Sequence, residues 1–379
     1  MRTIRFIPAI AATLMLSACT SLTDAPLPQE GKPLADVAPD PVGDMSADKN
    51  LIYPQEKYFA NMRQLTFGGD NAEAYWSFDN TKLTFQSNNP QWGLRCDQIY
   101  YMDFNNPEHF EGIPPRISTG LGRTTCAYFM PGDTTILYAS THLYGNDCPP
   151  EPDKSEGYVW PIYPAFNIFV ANLNGHIVDF LTDNIGYDAE ATVSPKGDKI
   201  VFTSDRSGDL ELWTMNIDGS DKRQVTFGLG YDGGAFFSPD GSKLVFRASR
   251  PKTEAEVEEY KSLLARELVK PTNMEIYVCN VDGSDLRQVT DLGGANWAPF
   301  YHPSGEKILF SSNHHSERGF PFNIFMINED GTGLEQITFD DAFDAFPMFS
   351  FDGKKLLFSS NRFNGGTRET NVFVVDWVE

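Results

Sequence analysis

The sequence lacks the features that usually mark a hydrolase, a nucleotide-binding enzyme or a nucleic-acid-binding protein. It contains no Gly-x-Ser-x-Gly elbow, no Walker loop and no His-Glu-x-x-His motif. Lysine and arginine number only 30, against 52 aspartates and glutamates, so the formal net charge is −22. Because so acidic a chain repels phosphate backbones, nucleic acid is excluded as an expected partner.

Long apolar stretches are also scarce, and the N-terminus carries a short one. The run from Phe6 to Leu16 follows Arg2 and Arg5 and is too short to span a bilayer. A basic start, a short apolar run and small residues after it are typical of a secretory signal. The sequence therefore predicts a signal peptide over residues 1–18.

Cys19 follows Leu16-Ser17-Ala18, and this segment resembles a bacterial lipobox. The resemblance implies that Cys19 is acylated, with palmitate as one such chain, and becomes the first mature residue; the alternative is a plain signal peptide followed by an unmodified cysteine. By resemblance to Gram-negative lipoproteins, Thr20 implies the outer membrane, with the body facing the periplasm or the cell surface. The lipid would be its only link to the membrane.

Residues 19–57 are rich in Pro, Ala and Asp and show little hydrophobic periodicity. Such a composition predicts a solvated tether without a core of its own. Residues 58–379 then form the folded body.

Internal repeats dominate that body. The clearest unit runs from Tyr187 to Phe227, where Pro-x-Gly-Asp and Asp-Gly turns separate short β-branched and aromatic runs, as in a four-stranded antiparallel meander. The first three strands recur from near Glu73, Thr124, Asp188, Asp232, Asn296 and Asp344. The fourth strand recurs at Arg63–Thr66, Arg116–Thr119, Asp179–Thr182, Arg223–Thr226, Arg287–Thr290 and Glu335–Thr338.

The order of these pieces predicts a closed ring. The body begins with a fourth-strand copy, Arg63–Thr66, and ends with a third-strand copy, Asn371–Val375. Pairing the two in one blade removes two exposed sheet edges. The predicted fold is all-β, a six-bladed propeller of four-stranded antiparallel blades closed by the N-terminal strand.

From Arg63 to Trp377 these repeats resemble the propeller repeats of TolB and its relatives. The resemblance implies a binding or scaffold module, because this repeat family includes scaffolds and the non-catalytic propellers of peptidases. It also includes a few enzymes. Oligogalacturonate lyases, which use a metal, have a propeller of related repeats with more blades.

Two sets of loop residues are expected around one mouth of the channel. The loops leading into the first strands carry Asn71, Thr124, Asp188, Asp232, Asn296 and Asp344, and the loops between second and third strands carry Asn89, His142, Arg206, Arg250, His314 and Arg362. These rings either tie neighbouring blades together by charge-assisted bonds or bind an anionic ligand. The predicted ligand-binding residues are His142, Arg206, Arg250, His314, Arg362, Asp188, Asp232, Asn296 and Asp344.

Two insertions lie on the same face. Residues 251–271 carry the capping-box pattern Thr253-x-x-Glu256 and an apolar stripe of Val257, Tyr260, Leu264 and Leu268, which predicts a helix ending at Lys270-Pro271. This helix would pack beside the mouth and narrow it. Residues 144–166 carry Tyr158, Trp160, Tyr163 and Phe166, which either stack on a ligand or fold the loop down.

Export permits disulfides, and Cys96, Cys126 and Cys148 fall near the channel mouth. We expect one disulfide among these three cysteines, and the sequence does not select which two form it. Cys279 sits in a third strand and is expected to be buried. His302 is expected on the opposite face from His314.

Two functions remain open. The first is an envelope lipoprotein whose propeller binds a protein segment or a cell-wall or glycan ligand at the channel mouth, without a cofactor or an assembled catalytic set. The alternative is a metal-assisted lyase or hydrolase acting on an acidic glycan, with His142, His314 and a third ligand such as Asp344 holding a divalent metal.

Overall fold

A computed structural model of the chain describes residues 51–379, apart from residues 154, 156, 318 and 342. The predicted signal peptide, Cys19 and residues 20–50 of the predicted tether lie outside the described residues. Among the residues described, no helix is both long and apolar enough to cross a membrane.

The described residues form six antiparallel blades, which confirms the predicted all-β propeller. The N-terminal strand is β1 (Phe59–Gln64). Blade one contains β2 (Asp70–Trp76), β3 (Lys82–Asn88) and β4 (Gln98–Asp103), and blade two contains β5 (Thr124–Phe129), β6 (Thr135–Ser140), an inserted β7 (Trp160–Pro161), β8 (Asn167–Asn172) and β9 (Ile177–Phe180). Two 3-10 helices in blade one span Pro90–Trp92 and Pro107–Phe110. The predicted fourth strand of blade one is reduced to a single bridge between Tyr100 and Arg116.

The remaining blades repeat the same plan. Blade three contains β10 (Asp188–Val193), β11 (Lys199–Ser204), β12 (Glu211–Asn216) and β13 (Arg223–Gln224). Blade four contains β14 (Asp232–Phe237), β15 (Lys243–Ala248), the inserted α1 (Glu254–Leu264) and β16 (Leu268–Val269), then β17 (Glu275–Asn280) and β18 (Arg287–Gln288). Blade five contains β19 (Asn296–Tyr301), β20 (Lys307–Ser312), β21 (Asn323–Asn328) and β22 (Glu335–Gln336), and blade six contains β23 (Asp344–Phe349), β24 (Lys355–Ser360) and β25 (Asn371–Trp377).

The ring closes as the order of repeats predicts. Strand β1 pairs antiparallel with β25, placing Arg63 opposite Val374, so the chain's first and last strands share blade six. Residues 51–57, at the end of the predicted tether, already pack against this blade, because Glu56 forms a buried ion pair with Arg362. Leu51 and Ile52 also pack against the apolar cluster of this blade. The boundary at residue 58 stays a prediction.

A hydroxyl on the fourth-strand segment holds the third strand in every blade, which explains the recurrent threonine of that motif. Thr226 Oγ1 accepts a hydrogen bond from the Leu212 backbone N–H at 2.9 Å. The equivalent bond is accepted in the other blades by Thr66, Ser118, Thr182, Thr290 and Thr338. Each short outer strand is thereby tied inward by a side chain as well as by its few ladder bonds.

The predicted helix is confirmed, but its end is not where the sequence analysis placed it. Thr253 and Glu256 form the capping box, and α1 stops at Leu264. Leu268, assigned to the helical stripe, instead lies in β16, which pairs with β7 of the blade-two insertion. The chain leaves the helix before Lys270-Pro271 because this strand pairing takes up Leu268 and Val269.

Most of the core lies between the blades. The second and third strands contribute fully buried residues such as Phe85, Ile168, Phe202, Ile276 and Phe310 to one continuous cluster. Stacking these apolar faces around the ring leaves the first strands of all six blades to line the central channel.

Candidate functional site

The structure brings the two predicted rings together as direct pairs in blades three, four and six. Asp188 and Arg206 are joined by an ion pair of 2.6 Å, and they lie 18 residues apart in the chain. Arg206 Nε also donates to Ser204 Oγ at 2.9 Å. In blade four, Arg250 contacts both carboxylate oxygens of Asp232 across the same interval of sequence.

Blade six extends this pairing to the N-terminus. Arg362 Nη2 donates to Asp344 Oδ2 and to Glu56 Oε1, both at 2.9 Å, and Nη1 donates to Glu56 Oε2 at 3.1 Å. All three side chains have no solvent exposure. The blade that closes the ring is therefore locked by a guanidinium shared between two carboxylates.

The histidines of the ring bind hydroxyl groups of their own blades. His314 Nδ1 lies 2.8 Å from Ser312 Oγ, which donates to Asn296 Oδ1 at 2.6 Å, and His142 Nδ1 lies 2.8 Å from Ser140 Oγ. Burial lowers the pKa of both histidines, so both favour the neutral form. Within the described residues, no three His, Cys, Asp or Glu side chains are grouped as metal ligands.

These contacts correct one expectation about the rings. In one of the two interpretations left open by the sequence, the charged pairs tie neighbouring blades. Each pair instead links the first and second strands of a single blade, because the loop after the second strand folds back over the start of the first. Among the described residues that line the central cavity, none of the nine predicted ligand-binding residues is present. Their binding role stays a prediction.

A second ring lies two residues further along each first strand. In every blade a β-bulge interrupts the pairing of the first two strands, and the residue at the bulge has a positive φ between 46° and 59°. Five of the six are not glycine, in a region that side chains seldom occupy. These residues, the bulge ring, are Glu73, Cys126, Glu190, Gly234, Ala298 and Phe346.

The bulge ring lines a cavity of about 590 Å³ inside the channel. This volume lies within the range of small-molecule sites. Aromatic side chains make up much of the wall: Tyr75, Tyr158, Trp160, Tyr163, Phe166, Tyr187, Tyr231, Phe236, Trp297, Phe320, Phe322, Phe343 and Phe346. Its charged lining residues are Glu73, Asp97, Glu190, Arg123 and Arg247.

The two insertions meet over this cavity. The Trp160 ring, from the blade-two insertion, lies 5.0 Å from the Trp297 ring of blade five and 5.2 Å from the Arg247 guanidinium of blade four. Tyr163 and Phe166 also pack inward, whereas Tyr158 is 49% exposed. The β7–β16 pairing therefore links blades two and four across the channel, rather than leaving α1 alone to narrow the mouth.

A disulfide between Cys96 and Cys148 holds the blade-two insertion to blade one. This settles the pairing that the sequence left open, and Cys126 is a free, partly accessible thiol at the cavity wall. Cys279 is buried and unpaired, as expected. His302 hydrogen-bonds to Ser304 in the turn between β19 and β20. This turn is at one end of the hairpin, and His314 follows the other end.

Glu190 is the saturated carboxylate of the bulge ring. It accepts hydrogen bonds from Thr203 Oγ1 and Tyr231 OH, both at 2.7 Å, and forms an ion pair with Arg247. Burial alone would raise the pKa of Glu190, but Arg247 and the hydrogen bonds outweigh burial and hold it below its ordinary value. Gly234 makes room for this pair, since a Cβ there would collide with the Arg247 guanidinium.

Glu73 is the opposite case. Its Oε2 atom is buried and has no hydrogen-bond partner among the described residues. Burial raises the pKa of Glu73 to about 7, opposed by a hydrogen bond with the Cys126 thiol and by the more distant Arg247. Burial and the nearby carboxylates raise the pKa of Cys126 well above its ordinary value, so the thiol stays protonated and is a poor nucleophile.

The sequence analysis missed the bulge ring because it aligned the repeats on polar loop residues. The signal was nevertheless present: the six residues occupy one repeat position, two after Asn71, Thr124, Asp188, Asp232, Asn296 and Asp344. Their chemical diversity at an otherwise regular position is what distinguishes them, since a residue needed only for the fold would recur from blade to blade.

Comparisons with known proteins agree with this architecture. Residues 164–268 match the family model described as TolB beta propeller domain. A structure assigned as TolB from Agrobacterium tumefaciens is 18% identical, with a TM-score of 0.53, covering 82% of this chain and 91% of that one. TolB from Acinetobacter baumannii is 16% identical with a TM-score of 0.50, covering 81% of this chain and 63% of that one. At these identities the likeness establishes the fold alone.

Proposed function

Because the chain is a six-bladed propeller of the TolB type, we propose that it is a non-enzymatic binding module that holds its ligand in the central cavity. The observation that carries this proposal is the cavity itself, about 590 Å³ of largely aromatic space beneath the paired insertions. Apolar cavities with a few convergent polar groups are the usual form of a ligand site. The strained bulge residues support it, because strain of this kind concentrates at functional positions.

We propose further that acylated Cys19 anchors the module to the outer membrane, and that the ligand is a segment of an envelope protein or a component of the cell wall. The lipobox-like segment Leu16–Cys19 is the support for the anchor. The predicted rings take a structural role in this proposal, because their charges are paired within the blades and stabilise the rim around the cavity.

Among the residues that the structure describes, no contact favours the metal-assisted lyase or hydrolase. His142 and His314 bind serine hydroxyls in separate blades, and Asp344, the third ligand considered, is held by Arg362. The Cys126 thiol, a potential nucleophile in the cavity wall, is kept protonated because burial and the nearby carboxylates raise its pKa.

The proposal is tested by filling the cavity. Ala298 and Phe346 occupy equivalent bulges with φ of 46° and 57°, so phenylalanine is compatible with this backbone conformation. We expect Ala298→Phe to remain folded and to abolish the capture of partners by photo-crosslinking in intact cell envelopes. Ala255→Phe, on the exposed face of α1, adds the same side chain away from the cavity and should capture the same partners as the wild type.

Thermal unfolding of all three proteins accompanies the crosslinking, so that loss of fold is not mistaken for loss of binding. Capture of the same partners by folded Ala298→Phe and by the wild type would contradict the cavity as the binding site. Recovery of no specific partner by the wild type would contradict the binding function itself.

A further inference from the structure

The charges that line the cavity do not balance. Arg247 is paired with Glu190, and Arg123 Nε lies 3.8 Å from Asp97 Oδ2. Glu73 is the remaining charged residue of the lining. Its Oε2 atom has no hydrogen-bond partner among the described residues, and Arg247, the cation that acts on it across the cavity, is paired with Glu190. An ionised Glu73 therefore leaves the cavity with one uncompensated negative charge.

A buried carboxylate without a partner is costly, and a protein retains one where a ligand completes it. The groups that complete a carboxylate are hydrogen-bond donors, and a protonated amine supplies both donors and the opposite charge. An anionic ligand would add a second negative charge beside Glu73, in a protein that is already strongly acidic.

The rest of the wall restricts what can carry the amine. Tyr75 and Phe236 pack together with ring centroids 5.4 Å apart, and aromatic faces attract a cation as well as an alkyl chain. Several neutral polar lining groups are engaged inside the protein: Gln86 Oε1 accepts from Thr125 Oγ1, Thr192 Oγ1 donates to the Ala235 carbonyl, and Asn313 Nδ2 donates to the Gly319 carbonyl. Of the lining arginines, Arg123 Nε and Arg247 Nε have no hydrogen-bond partner among the described residues, although both guanidinium groups face carboxylates. A sugar would bring several hydroxyls that find few free partners here.

We propose that the cavity recognises a lysine side chain of a partner protein segment, with its ammonium group on Glu73 and its alkyl stem against the aromatic wall. This inference rests on the proposed binding function and names the ligand class for the same site. It selects a protein segment over a glycan as the ligand.

Four probes test it by isothermal titration calorimetry: acetyl-Phe-Lys-amide, its uncharged analogue acetyl-Phe-norleucine-amide, the acidic acetyl-Phe-Glu-amide, and glucosamine. At pH 8 the wild type should bind the lysine peptide at least about tenfold more tightly than the norleucine peptide, a factor that corresponds to about 1.4 kcal/mol. The acidic peptide should bind most weakly of the three peptides.

Glu73→Gln keeps the shape of the side chain and removes its charge. We expect this variant to bind the lysine and norleucine peptides about equally. Glu258→Gln makes the same change of charge on the exposed surface of α1 and should retain the wild-type preference. Thermal unfolding confirms that both variants are folded before titration.

The preference should also depend on pH in one direction. Lysine stays protonated between pH 6 and pH 8, whereas Glu73, with a pKa of about 7, changes from mostly protonated to mostly ionised. The groups that act on Glu73 across the cavity are Cys126, Glu190, Asp97 and Arg247. Burial also raises the pKa of Asp97, but Asp97 is present in both the wild type and Glu73→Gln, so the difference between the two proteins isolates Glu73. The lysine preference should therefore rise with pH in the wild type and stay flat in Glu73→Gln.

Equal binding of the lysine and norleucine peptides, an undiminished preference in Glu73→Gln, stronger binding of glucosamine, or no binding of the lysine peptide would each overturn the lysine inference. The binding function is judged separately, because loss of partner capture in Ala298→Phe does not depend on the charge of Glu73.

Discussion

The paired rim residues and the bulge ring come from the same repeat, two residues apart on each first strand, yet they treat polar groups in opposite ways. At the rim, Asp188, Asp232 and Asp344 each meet an arginine of their own blade. At the bulge, the Oε2 atom of Glu73 has no hydrogen-bond partner in the described structure, while Glu190 is saturated. The difference separates positions whose charges are paired within a blade from a position that, in our proposal, a ligand completes.

Removing a saturated rim residue should have the largest effect on stability. Arg362→Met leaves Glu56 and Asp344 buried without a cation, which costs about 3–5 kcal/mol for a broken buried pair. The free energy of unfolding from urea titration measures the loss. Arg223→Met, which removes an exposed ion pair with Asp221, is the matched control and should leave the free energy of unfolding nearly unchanged. Similar decreases in the free energy of unfolding of both variants would contradict the prediction that the buried ion pairs stabilise the fold more than the exposed ones.

Glu73→Gln should raise the free energy of unfolding at pH 8, whereas Arg362→Met lowers it. The pKa of Glu73 is raised from 4.5 to about 7 in the folded protein, so the folded state binds this proton more tightly than the unfolded state. The contribution of Glu73 to wild-type stability is therefore greatest below about pH 4.5, and it is lost as the pH rises to about 7. The free energy of unfolding of Glu73→Gln minus that of the wild type should therefore increase by up to about 3 kcal/mol between pH 4.5 and pH 8.

Urea titrations of both proteins from pH 4.5 to pH 8 check this prediction. The pKa of Glu211 is also raised to about 7, chiefly by burial, but Glu211 is present in both proteins, so the difference between the two isolates Glu73. A variant less stable than the wild type at pH 8 would mean that Glu73 has a stabilising partner in the free protein.

The smallest effect concerns the backbone of the bulge ring. Ala298→Gly relieves a left-handed conformation and should raise the free energy of unfolding by up to about 1 kcal/mol. Gly234→Ala, at the equivalent position in blade four, should lower stability, because its Cβ would collide with Arg247. Thermal unfolding of the two single variants measures whether each one is more or less stable than the wild type. Destabilisation by Ala298→Gly would show that the bulge conformation is not strained.

Much of the fold could be predicted because local chemistry repeats. The Asp-Gly turns, the fourth-strand threonines and the order of the repeats indicated six blades and their closure by β1, and Thr253-x-x-Glu256 indicated α1. The end of α1 could not be found in the same way. Leu268 fits a helical stripe, and only its pairing with Pro161, a residue more than one hundred positions earlier in the chain, draws it into a strand.

The candidate site was harder to predict because it depends on neighbours that are distant in sequence. The 18-residue spacing of Asp188 and Arg206 was visible, but whether they face each other or adjacent blades depends on how the loop folds back. Likewise, Cys96, Cys126 and Cys148 were equivalent candidates until the blade-two insertion brought Cys148 to Cys96. Position in the repeat identified the face of the ring, but not the contacts made there.

The sequence by itself determined the architecture of this protein: the number of blades, their closure and the positions of the two insertions follow from repeated turns, hydroxyls and apolar alternation, which act over a few residues. Only the tertiary structure decided which polar groups are satisfied. Glu73 and Glu190 occupy the same repeat position and are the same amino acid, and they differ because Arg247 and Tyr231, from the adjacent blade, reach only Glu190. That difference depends on long-range packing, and it leaves one carboxylate oxygen without a hydrogen-bond partner among the described residues.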